Sequence, residues 1–137
     1  MHPLVVIAVD ASGDRPGSFS TLGEAVELAE LELDVRIEID LDGMRANGSV
    51  GPRDCTAEGT IHYPPAMGGG TGRLLYARSQ LSDLAPHDLE QFAATDTLFP
   101  NYSTGDQYLT DAQFAALVRM GAHLGERLVT RVASVAT

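Results

Sequence analysis

Leu4-Val5-Val6-Ile7-Ala8-Val9-Asp10 opens the chain with six apolar residues that end at a carboxylate. Buried strands of parallel or mixed sheets read this way. The next residues, Asp10-Ala11-Ser12-Gly13-Asp14-Arg15-Pro16-Gly17, form a loop by composition. Ser20 or Thr21 can then cap a helix, with Glu24 completing a capping box. That helix runs to about Leu33. Leu22, Ala25, Val26, Ala29 and Leu33 recur on one face, and Glu24, Glu27, Glu30 and Glu32 lie on the other. Val35, Ile37 and Ile39 alternate with Arg36, Glu38 and Asp40, the pattern of a strand with one wet face. Strand, helix and strand make a βαβ unit, whose crossover is right-handed by rule.

Further on, Asp42 to Cys55 is polar and holds three glycines and a proline, so it reads as a long connection. Thr60-Ile61-His62-Tyr63 and Arg73-Leu74-Leu75-Tyr76-Ala77 read as strands. The Pro/Gly-rich stretch from Pro64 to Gly72 lies between them, so they pair antiparallel around that tip. Pro86 suits a first helical position and opens a short helix to about Ala94. Thr110-Asp111-Ala112-Gln113 is a capping box. It opens a long helix with Phe114, Leu117, Val118, Gly121, Leu124, Leu128 and Val132 on one side. The expected fold is a single α/β domain over residues 1–137. It has a mixed sheet of about four strands, packed helices and a long C-terminal helix.

The 137 residues suffice for one domain with a core; 44% are hydrophobic and 20% charged. A formal net charge of -10 argues against nucleic acid and against an anionic membrane surface, both of which want a basic patch. Cys55 is the only cysteine, which leaves no internal disulfide and no cysteine metal cage; it reads as a passenger thiol in a loop. The opening apolar run is too short for a signal-peptide core or a membrane span, and nothing else approaches one. The expected compartment is the cytoplasm.

Phe99-Pro100-Asn101-Tyr102-Ser103-Thr104-Gly105-Asp106-Gln107-Tyr108, followed by Gln113-Phe114, is too rich in Asp, Gln, Ser, Thr and aromatics for a plain connector. It resembles the C-terminal tail of bacterial patatin-like phospholipases, where F-P-x-x-S-T-x-D-Q-aromatic precedes a Q-F helix. Other pieces resemble that family in the same order. They are Leu4 to Asp10, Leu22-Gly23-Glu24-Ala25, Val35 to Asp40, Gly59-Thr60-Ile61-His62-Tyr63, and Leu74-Leu75-Tyr76-Ala77-Arg78-Ser79, with Arg119 and Gly121 in the expected region. The chain departs from the family in three respects. Glu27, Glu30 and Glu32 replace basic residues, and Arg78-Ser79 replaces Lys-Pro. No G-x-S-x-G nucleophile elbow is present, and the one comparable Asp-Gly, Asp42-Gly43, follows the second strand, the wrong place. The resemblance therefore implies the non-catalytic C-terminal module of a patatin-like acyl hydrolase. It would need a nucleophile-bearing partner or upstream half, it carries no catalytic residue, and no cofactor is implied. Half of a larger layer has an open sheet edge, so a homo-oligomer or a complex with a nucleophile-bearing chain is expected.

The opening also resembles a universal stress protein, whose strand-end acid contacts an adenine nucleotide, but the glycine signature expected later is missing. Asp10, Ser12 and Asp14 are candidate binding residues at a strand's C-terminal end, where open α/β sheets hold ligands. A solvated turn is the plainer reading of Asp14. Ser103, Thr104, Asp106 and Gln107 are the second candidate set. Asp106 and Gln107, beside Tyr102 and Tyr108, read first as a structural clasp. Gly68-Gly69-Gly70-Thr71-Gly72 lacks the lysine and helix of a P-loop and reads as a hairpin tip. His2, His62, His87 and His123 share no i, i+4 pairing, which argues against zinc. A triad of Ser103, His62 and Asp106 needs contacts that the sequence does not show.

Overall fold

β1 (Val5–Asp10), α1 (Ser20–Leu33) and β2 (Arg36–Asp40) follow one another as the pattern predicts. β3 (Thr56–His62), β4 (Thr71–Arg78), α2 (His87–Thr95) and α3 (Asp111–Ala133) complete the fold. The computed structural model describes residues 2–15, 17–103, 105 and 108–134. The expected α/β architecture is present: a mixed four-stranded sheet in the order β1-β4-β3-β2, with helices packed on it.

The βαβ expectation needs a correction. β1 is parallel to β4, which is antiparallel to β3, which is antiparallel to β2. β1 and β2 thus run the same way but stand at opposite edges, with the β3–β4 hairpin between them. A crossover helix can span two intervening strands, and local pattern does not say how many.

The hairpin forms as expected, and both strands exceed their predicted lengths. Thr56 opposes Ala77 and His62 opposes Thr71. Gly59, one residue before the strand read from the sequence, sits inside β3, where a Cβ would come to 2.5 Å from the Glu38 carbonyl oxygen of β2. The tip turns through Gly68, Gly69 and Gly70, all at positive φ.

Two layers flank the sheet. On one face, α2 and α3 close a core of Cys55, Leu75, Ala77, Leu89, Phe99, Ala116, Met120, Leu124 and Leu128. On the other, Val35, Ile61, Tyr63 and Leu74 pack with Val6, Ala8, Ala29 and Ile37. Met44, Ala57 and Tyr76 pack there with Phe19 and Leu22. The Thr110 capping box is formed in full. α1 differs: its N-cap position is Phe19, without a side-chain cap. Asp14 substitutes from the preceding loop by accepting the Thr21 N–H at 2.9 Å.

Three sequence expectations fail on burial. β1 is not a buried strand: Val5, Ile7 and Val9 are 48%, 55% and 59% exposed. They share a face with their β4 neighbours Arg73, Leu75 and Ala77. α3 covers β4 and β3 on that face, one strand short of β1. α3 itself buries Ala116, Met120, His123, Leu124 and Leu128, leaving Phe114, Val118 and Val132 exposed. Apolar residues run so far round this helix that the partner surface sets its phase. Cys55 is a core residue and not a loop passenger: it is 0% exposed at the entry to β3.

Candidate functional site

The C-terminal ends of β1 and β4 lie side by side, Asp10 opposite Arg78. This is the end of a parallel pair where open α/β sheets bind ligands. The Tyr76 hydroxyl donates to Asp10 Oδ2 at 2.6 Å, and the Ser12 N–H donates to Asp10 Oδ1 at 2.8 Å. Burial raises the Asp10 carboxyl, but the bonds from Ser12 and Tyr76 and the nearby Arg78 outweigh it, so the group lies below its ordinary value. Burial, then the hydrogen bond to Asp10, pushes the Tyr76 phenol well above its ordinary value. The phenol is therefore a fixed donor and not a base at neutral pH.

Arg78 is 2% exposed. Its guanidinium donates to the carbonyls of Ser18, Asp14 (3.2 Å) and Arg15 (3.4 Å), and its Cζ stands 4.9 Å from the Phe19 ring centroid. One side chain thus ties the β1–α1 loop to β4. The Asp14 carboxyl lies below its ordinary value, chiefly because it accepts from the Thr21 N–H.

The tail meets this loop from the other side. A Cβ on Gly13 would stand 3.6 Å from the Tyr102 carbonyl oxygen. Between loop and tail lies a cavity of about 220 Å³ whose walls include Arg78, Gln80, Leu81, Phe99, Pro100 and Asn101. Gln80 spends its amide N–H groups on the carbonyls of Met44 and Asp54, at 3.0 and 3.1 Å. The Phe99–Pro100 peptide is cis. A larger, open depression of about 520 Å³ lies along the β2–β3 connection, around Arg45, Asn47 and Arg53. The smaller cavity is the better candidate because it sits at the strand ends and has apolar walls with few polar groups.

The structure gathers Asp10, Ser12 and Asp14 on one loop. Ser103 is exposed, and its Oγ accepts the Gly105 N–H at 3.2 Å. Thr104, Asp106 and Gln107 lie outside the described residues, so the clasp assigned to Asp106 and Gln107 does too. Asp96 does make a clasp. It accepts from the Tyr102 hydroxyl at 2.7 Å and from Gln113 Nε2 at 3.0 Å, which ties the end of α2 to the tail and to the capping box of α3. Those bonds, from Gln113 and then Tyr102, lower the Asp96 carboxyl, while burial and the bond to Asp96 raise the Tyr102 phenol to about 12. Sequence reasoning missed Asp96, although an acid between a helix and an aromatic-rich tail was a usable signal. It also passed over Tyr76 and Arg78 as site residues, because each sits in or against an apolar strand.

The triad of Ser103, His62 and Asp106 is not supported. His62 pairs with Thr71 at one end of β4, and the tail lies near Arg78 at the other end. Eight residues of strand span roughly 25 Å. Cys55 Sγ lies 3.8 Å from His123 Nε2. Burial and then the Asp54 charge push the thiol up to about 11, and burial lowers the imidazole, so both stay neutral near pH 7. Among the described residues no serine hydroxyl bonds a histidine, and no group of three or more His, Cys, Asp or Glu could hold a metal ion.

No helix among the described residues is long and apolar enough to cross a membrane. The chain matches no family model, no curated protein and no solved structure.

Proposed function

We propose that this chain is the scaffold module of a patatin-like acyl hydrolase, contributing no nucleophile and working with a nucleophile-bearing chain or as a homo-oligomer. One observation carries the non-catalytic reading. At the strand ends where α/β enzymes keep their chemistry, the Asp10 and Asp14 carboxylates and the terminal nitrogens of Arg78 are committed to the chain itself. Among the described residues the buried Ser12 Oγ has no hydrogen-bond partner and no histidine beside it to act as a base. Asp10 holds Tyr76 and the Ser12 N–H, Asp14 caps α1, and Arg78 binds three carbonyls. A nucleophile needs a neighbouring base to lower the cost of losing its proton. The ordered set of sequence pieces supplies the family. The small cavity between loop and tail then serves as the surface that completes a site borne by the other chain.

The universal-stress-type nucleotide site is the lesser reading, because the strand-end acid it would use is already bonded to Tyr76 and Ser12. The proposed compartment is the cytoplasm, which a lone reduced thiol fits.

The test is hydrolysis of a p-nitrophenyl acyl ester by the purified chain, with a serine-directed fluorophosphonate probe in parallel. The expected result is no turnover and no labelled hydroxyl, with turnover appearing only beside a nucleophile-bearing chain. Unaided hydrolysis with a mapped adduct on any serine overturns the proposal.

A further inference from the structure

We infer that the outer edge of β1 is a self-pairing surface that accepts β1 of a second copy of this chain, antiparallel and centred on Ile7. The inference stands on backbone geometry and is independent of the acyl-hydrolase reading.

Leu4 and Asp10 turn their carbonyls toward β4, where they accept the N–H groups of Arg73 and Ser79. In a parallel pairing, alternate residues of a strand serve one neighbour. Val5, Ile7 and Val9 therefore turn their N–H and C=O groups outward, along an edge where no further strand pairs among the described residues. The same three residues carry the half-exposed side chains on the face that α3 leaves open.

Antiparallel pairing imposes two conditions: opposed residues share a face, and every second pair exchanges both N–H···O bonds. The register that uses all three outward residues sets Ile7 opposite Ile7 and Val5 opposite Val9. The outward set reads Val-Ile-Val in either direction, so one two-fold axis through Ile7 satisfies both conditions with one patch, as an isologous contact requires.

Charge fits as well. Leu4 to Val9 carries no charge despite the net -10 of the chain, so like charges do not meet along the paired stretch. Lysines and prolines that guard edge strands are missing between Leu4 and Val9. The helices leave the edge accessible: α1 packs on β2, and α3 packs on β4 and β3. Three residue pairs form a small contact beside the about 800 Å² per partner of a standard interface. The dimer is accordingly concentration-dependent.

The experiment uses the full chain with Ile7→Cys and, as a control, Leu31→Cys on the exposed face of α1. Opposed residues in a bonded antiparallel pair have Cα atoms about 5.5 Å apart, within disulfide range. Native Cys55 is fully buried and does not compete. The expected result is a covalent dimer from Ile7→Cys and none from Leu31→Cys on mild oxidation. The unmodified chain should sediment as a reversible monomer–dimer, with amide exchange at Val5, Ile7 and Val9 slowing as concentration rises. Val9→Lys should abolish the dimer with an unchanged circular dichroism spectrum; if Val9→Lys fails to fold, the cross-linking result decides. Equal cross-linking of both cysteine variants, or edge amides that exchange at one rate at all concentrations, overturns the inference. So does a native chain that stays monomeric while a different chain binds the edge.

Discussion

The two layers of this sheet are built from similar residues and reach different ends. The α3 layer closes over β3 and β4, with Leu75, Ala77, Met120 and Leu124 almost free of solvent. The α1 layer is as rich in leucine, yet α1 has no buried residue, and Leu28, Leu31 and Leu33 stand exposed. β1 divides the other way: Val6 and Ala8 lie under partial cover on the α1 face, while Val5, Ile7 and Val9 stand open on the face of α3, which stops short of this strand. The difference teaches that an apolar pattern states what a segment is able to bury, while the layer above it decides whether it does so.

Matched truncations break that comparison most sharply. Leu124→Ala should cost about 3 kcal/mol, since it leaves a cavity in the closed core. Leu31→Ala should stay within about 0.5 kcal/mol, as surface changes do. Urea unfolding of both variants checks the pair, and equal losses would mean that the two layers are equally closed.

The next largest effect concerns how α3 is held. Asp54 accepts from Arg127 at 3.0 Å and from Arg131 at 3.1 Å, and its other oxygen accepts the Thr56 hydroxyl at 3.0 Å. Asp54→Asn should cost about 2 kcal/mol, the scale of hydrogen bonds to charged groups. Burial raises the Asp54 carboxyl, but Arg127 and Thr56 outweigh it, so the folded value lies below the unfolded one. Its contribution is therefore complete above the unfolded value of about 3.9 and is lost as pH falls through the lower folded value. Denaturant midpoints across acid pH should fall less steeply in Asp54→Asn than in the native chain.

Thr110→Ala removes the side-chain cap of α3 and should cost about 1 kcal/mol in the same assay. The smallest effect belongs to the open layer. Asp14→Ala removes the acceptor of the Thr21 N–H, so hydrogen exchange should quicken in the first turn of α1 and stay unchanged in α3. Faster exchange in both helices would show that the two layers unfold together.

Much of the candidate site was legible early. Asp10, Ser12 and Asp14 were readable because an apolar run that ends in an acid marks a strand end. Arg78 was hidden because a charge beside Leu74-Leu75-Tyr76-Ala77 reads as the place where a strand meets water, whereas its guanidinium turns inward to carbonyls sixty or more positions earlier. The clasp at Asp96 and the burial of Cys55 depend in the same way on partners distant in sequence.

The elements and the cap of α3 were present in the chain itself, because periodicity and side-chain reach act over a few residues; the cap read at Ser20 or Thr21 did not form. The Thr110–Gln113 box, the glycine tip and the strand alternation all belong to that class. The separation of β1 from β2, the phase of α3 and the open edge of β1 were settled only by the tertiary structure. Each depends on which surface arrives opposite a segment, and that is a property of the packed layers and not of any local stretch.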